Sequence, residues 1–84
     1  MKYLIDYIAR SLVADPTQVK VDTYTRRDSV TVVLRVDSED MGRVIGKQGR
    51  VANAMRALLR VMALREDVRV NLDIDDSNAA TGNN

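Results

Sequence analysis

The chain has 84 residues, 45% of them apolar, with 13 basic and 12 acidic side chains and no histidine, cysteine, tryptophan or phenylalanine. That length bounds a single domain with one modest core, which must be aliphatic. No imidazole base, thiolate nucleophile, disulfide or soft metal site can be built from these residues, and no apolar run approaches the ~20 residues of a membrane span.

No signal-peptide pattern opens the chain, so a soluble cytoplasmic protein is expected, with no cofactor, metal or small-molecule substrate. The carboxylates are scattered, and the adjacent pairs Glu39-Asp40, Glu66-Asp67 and Asp75-Asp76 fall near element ends, where solvation or capping accounts for them. No catalytic residue is assigned and no enzyme is expected.

Residues 1–13, MKYLIDYIARSLV, place Leu4, Ile5, Ile8 and Leu12 on one helical face. Asp15-Pro16 ends this helix, because the residue before proline is driven out of the helical region, and Pro16 is suited to open one short turn. QVKVDTYT then alternates at Val19, Val21, Thr23 and Thr25 and reads as a strand. After a short link at Arg26–Asp28, VTVVLRV alternates with Val30, Val32, Leu34 and Val36 inward and Thr31, Val33 and Arg35 outward. Two strands so closely linked form an antiparallel hairpin. Val33, and Tyr24 if it faces outward, would sit on the open sheet face, where an apolar spot can mark a protein contact.

Asp37 and Ser38 are placed to cap a short helix, with Glu39 and Asp40 in its first turn. It runs through Met41, Val44 and Ile45 to Gly46. After Gly49 a longer helix is expected, with Val51, Ala52, Met55, Leu58, Leu59 and Met62 buried and with Asn53, Arg56 and Arg60 aligned on another side. The last strand spans Val68 to Ile74, aliphatic at every even position, and the final DDSNAATGNN is expected to be disordered. The resulting fold is α+β, in the order α-β-β-α-α-β. It predicts a three-stranded mixed sheet covered on one face by three helices, over residues 1–75, with a polar tail at 76–84.

The net charge of +1 hides an asymmetry. Between Met41 and Arg65 stand Arg43, Lys47, Arg50, Arg56, Arg60 and Arg65, and no acid. In the middle of that stretch lies VIGKQGRVA, with two of the chain's four glycines three apart. The spacing alone is unspecific and fits a tight turn between helices. Its context adds three things: Gly49 sits where a long helix begins, glycine lets a phosphate backbone approach closely, and Lys47 and Gln48 project at the same place. Unpaired amides and the positive end of the helix dipole favour an anion there. A nucleotide P-loop is excluded by spacing. The feature suits the backbone of a polymer.

The stretch EDMGRVIGKQGRVANAMRALL resembles the signature of KH domains, in which a GXXG loop between two helices clamps about four nucleotides. The order α-β-β-α-α-β resembles the type II, bacterial arrangement, and the opening YLIDYIARSLV together with MGRVIGKQGR resembles the small single-KH RNA-binding proteins of the KhpA family. The resemblance covers about residues 1 to 75. It implies a groove for single-stranded or unpaired RNA walled by Arg43, Val44, Ile45, Gly46, Lys47, Gln48, Gly49, Arg50, Val51, Asn53 and Ala54 and by one edge of the sheet. Many KH domains carry a bulky aliphatic three residues after the second glycine. This chain has Ala52 there, with Val51 one position earlier in that role. The resemblance further implies a homodimer, or a heterodimer with a larger KH-containing protein, and roles in RNA regulation or chaperoning and, in some bacteria, in cell elongation and division.

Two rival readings use the same residues. A helix-hairpin-helix DNA binder also holds phosphates on a glycine hairpin before a basic helix, but needs no sheet. A protein-interaction module would need the glycines only for the turn.

Overall fold

The computed structural model describes residues 1–77. Helix α1 spans Lys2–Leu12, strands β1 and β2 span Lys20–Arg26 and Ser29–Val36, helices α2 and α3 span Met41–Ile45 and Arg50–Glu66, and strand β3 spans Arg69–Asp76. The order is the expected α-β-β-α-α-β. β2 is the central strand, antiparallel to β1 (Thr23↔Val32) and parallel to β3 (Val32↔Leu72). A parallel return needs a crossover, and α2 with α3 supplies it.

One face of the sheet and the three helices enclose the core. Val21, Val32, Leu34, Val36 and Leu72 meet Ile5 and Ala9 of α1, Val44 of α2, and Met55 and Leu59 of α3. Each large side chain so removed from water contributes about 1.5–3 kcal/mol. Ala52 is buried while Val51 is half-buried against the core, so the small residue lets α3 approach and the larger one fills the rim. No helix among the described residues is long and apolar enough to cross a membrane.

The structure corrects several expectations. Val33 does lie on the open face, yet it is only 7% exposed. It stands in the central strand between Asp22 and Asp73, and an Arg35–Asp22 ion pair at 3.1 Å closes over that side. Tyr24 is exposed there, so the apolar spot reduces to one tyrosine. Thr23 and Thr25 are exposed although they share the parity of buried Val21, because β1 is an edge strand. Leu58, expected in the core, is 46% exposed, and Leu12 is also exposed. β3 runs past Ile74 through the pairs Arg35↔Asp75 and Val36↔Asp76, and the Ser77 amide donates to the Val36 oxygen at 2.8 Å. Asp76, assigned to the tail, is therefore strand, and residues 78–84 lie outside the described residues.

Asp40 departs furthest from its expected environment. It stands in the first turn before α2 as expected, but it is not solvated: at 2% exposed it is the one buried charged side chain among the described residues. Its carboxylate accepts the Ala14 amide at 3.0 Å and the Asp15 amide at 3.2 Å, tying the link after α1 to the start of α2. Asp37 makes no side-chain cap to the turn that precedes α2.

Candidate functional site

Helix α2 stops because Gly46 takes φ 78°, with its amide still donating to the Gly42 oxygen at 2.9 Å. A Cβ at position 46 would stand 2.5 Å from Val51 Cγ2 and 2.9 Å from the Val51 nitrogen. Both angle and space therefore demand glycine. Gln48 and Gly49 follow in the left-handed region at φ 57° and 74°, and Gly49 is the residue on which α3 starts. The Gly49 amide closes the loop onto the Gly46 oxygen at 3.2 Å. This backbone path leaves Lys47 and Gln48 exposed at the N-terminal end of a 17-residue helix. An anion is favoured at such an end, since the first amides lack intrahelical acceptors and the dipole is positive there.

The other candidates divide by environment. Arg50, Asn53 and Ala54 are exposed on the first turns of α3, and Ile45 and Val51 are half-buried beside the loop. Val44 is fully buried in the core, so it has no surface for a base; its position on a five-residue helix turns it inward onto the sheet. Arg43 is exposed, but its Nε lies 3.2 Å from Asp40 Oδ1, so part of its charge is already matched.

Two residues given little weight in the sequence prove central to the geometry. Arg56 and Arg60 line a cleft of about 390 Å³ between α3 and β3, together with Leu59, Val70 and Leu72 and the polar Thr31, Asn71 and Asp73. They continue the row that starts at Asn53, whose Oδ1 is 3.5 Å from Arg56 Nη1. β3 is the free edge of the sheet on this side. The Arg69 amide bonds to Asp28 of the β1–β2 turn, whereas the Leu72 carbonyl faces outward and accepts Arg56 Nη2 at 3.3 Å. Since strand polarity alternates, the backbone of Val70 and Ile74 faces outward with Leu72. The cleft therefore has an aliphatic strip at Leu59, Val70 and Leu72, arginines on one wall, and on the other main-chain donors and acceptors with the polar side chains of Asn71 and Asp73. The signal for Arg56 and Arg60 was their helical spacing from Asn53; only the strand across from them turns that row into a wall.

The three paired strands count against the helix-hairpin-helix alternative, which needs no sheet.

The comparisons with known proteins agree with this architecture. A family model described as the KhpA/KhpB KH domain matches residues 2–74. The RNA-binding protein KhpA of Clostridium acetobutylicum is 46% identical over 74 residues, which cover 88% of this chain and 99% of the relative. The proteins of the same name from Treponema pallidum and Halalkalibacterium halodurans are 47% and 43% identical, over 87% and 90% of this chain and 91% and 100% of theirs. No solved structure matches the chain. With the match running from the first turn of α1 to the body of β3, and with relatives covered almost from end to end, the chain belongs to the KhpA/KhpB family of KH domains.

Proposed function

We propose that the protein is a non-catalytic, cytoplasmic RNA-binding module that grips single-stranded or unpaired RNA. The Gly46–Gly49 loop holds the sugar-phosphate backbone, and the cleft between α3 and β3 receives the bases. The observation that carries this reading is the loop itself: three of its four residues have positive φ, and the two polar side chains between the glycines stand exposed at the start of α3. The relatives' name supports the ligand class. Lys47 supplies the cation, Gln48 an amide donor, and Arg50 and Asn53 extend the contact along the helix. Outward-facing main-chain groups at Val70 and Leu72 are suited to base edges, and the aliphatic strip replaces the aromatic platform that the chain lacks. A module holding about four nucleotides binds modestly, with low sequence preference, as suits RNA regulation or chaperoning.

Pairing belongs to the same reading. The outer face of α3 carries Leu58 and Val61, 46% and 59% exposed, beside Ala54 and Ala57. That stripe fits a second KH domain, either another copy or one in a larger protein, and two linked modules would raise avidity through effective concentration.

The test compares wild type with a Lys47→Asp, Gln48→Asp double variant for binding to short single-stranded RNA across a salt series. Wild type is expected to bind with a log–log salt slope of about −1.5 to −2, as two or three phosphate contacts give. The double variant, folded by circular dichroism, is expected to lose that binding. Equal binding by both would remove the loop from the site.

A further inference from the structure

The α3–β3 cleft does not end at Arg60. A second hollow of about 270 Å³ continues from it, lined by Arg60, Ala63, Leu64, Val68, Arg69 and Val70. The two share Arg60 and Val70, so they form one groove along the free edge of β3. The second hollow has an aliphatic lining between two arginines and no acid.

Arg69 stands at the corner of this groove. It lines the hollow, and on the open sheet face it shares a row with Ser29 and Arg26, through the pairs Ser29↔Arg69 and Arg26↔Ser29. Arg27 follows Arg26 in the two-residue turn and holds φ 57°. The first position of such a turn takes a positive φ, which favours glycine, and an L-residue there costs roughly 1–2 kcal/mol. A bulky cation thus occupies a position where local stability prefers no side chain. No ion pair joins Arg26, Arg27 or Arg69 to a carboxylate among the described residues. Asp28, Glu66 and Asp67 belong to the same end of the molecule and line neither hollow, while the acid Asp73 lines the first hollow but not the second.

We propose that a bound RNA strand runs past the four-nucleotide clamp, places a further unpaired base between Arg60 and Arg69, and is held beyond it by phosphate contacts to Arg69, Arg26 and Arg27. Arginine suits both tasks, because its planar guanidinium stacks on a base and its fork of donors matches a phosphate. This rests on the clamp reading for the first four nucleotides and adds a second site at the far end of α3. The site explains why the groove's lining arginines extend three turns from the loop, and why a turn position that favours glycine carries a cation.

The experiment measures fluorescence anisotropy of labelled oligouridine tetramer and octamer over a salt series. The proteins are wild type, an Arg27→Gly, Arg69→Gln variant, and the Lys47→Asp, Gln48→Asp variant. Arg27→Gly relieves the positive φ and Arg69→Gln keeps the main-chain bond to Asp28, so the arginine variant stays folded. A longer homopolymer gains some affinity from its extra binding registers alone, so the salt slope and the variants decide. The expected result is an octamer bound about tenfold more tightly than the tetramer by wild type, with a slope steeper by about 0.7 for each added phosphate contact. The arginine variant should bind the tetramer as wild type does and lose the octamer's added slope. An octamer with the tetramer's slope, or an arginine variant that keeps the added slope, overturns the second site and leaves the clamp standing. An octamer bound by the loop variant but not by the arginine variant overturns the clamp and leaves the second site. No binding of either length by wild type overturns both.

Discussion

Gly46 and Val51 are in such close approach that a methyl group on the first would fall 2.5 Å from Cγ2 of the second. Val51 is packed against the core, so it has little room to yield. Gly46→Ala therefore combines overpacking, typically about 1–3 kcal/mol, with a left-handed φ that alanine resists. At Gly49 a Cβ would meet only Asn53 Nδ2 at 3.9 Å, so Gly49→Ala carries the backbone term alone, about 1–2 kcal/mol. Urea titration should order the three proteins as wild type, then Gly49→Ala, then Gly46→Ala. Equal midpoints for the two variants would mean that α2 and α3 separate easily.

Asp40 links two segments through the Ala14 and Asp15 amides. Replacing it by alanine leaves both donors without their acceptor in a part-buried site, at about 1–3 kcal/mol, which lowers Tm by roughly 4–8 °C per kcal/mol in a domain of this size. The same change frees the Arg43 guanidinium from its 3.2 Å ion pair. RNA affinity of the folded variant is therefore expected to hold or rise while thermal stability falls. A variant as stable as wild type would show that the amides find water instead.

Arg56 crosses the cleft to the Leu72 carbonyl. Arg56→Ala removes a net hydrogen bond of about 0.5–1.5 kcal/mol and one wall of the groove. Affinity for single-stranded RNA should drop by up to about tenfold, equivalent to 1.4 kcal/mol. An unchanged affinity would place the bases outside this cleft.

Val61 is the more exposed of the two large aliphatic residues of the stripe on α3 and lies away from the core residues Met55, Leu59 and Ala63. Val61→Asp should leave the melting of the monomer nearly unchanged and shift sedimentation equilibrium toward the monomer mass. A wild-type protein that sediments as a monomer at every concentration would assign the stripe to a different chain.

Much of this molecule was legible along the chain. Alternation at Val30, Val32, Leu34 and Val36 marked the central strand, Asp15-Pro16 marked the short turn that follows α1, and the pair Gly46 and Gly49 marked the loop, because each reports a local rule of backbone geometry or amphipathic spacing. Tertiary structure decided what local rules do not reach. Val33 and Leu58 exchanged their expected places, since cover depends on which neighbouring elements lie over a residue and not on its own periodicity. Asp40 became a buried acceptor because residues 14 and 15 arrive beside it from a distant part of the chain. Arg56 and Arg60 acquired a groove only when β3 folded back parallel to β2 and offered its free edge across from them. The sequence by itself determined the elements and the loop that separates two of them; the long-range pairing of β3 decided where a cleft would open and which arginines would face it.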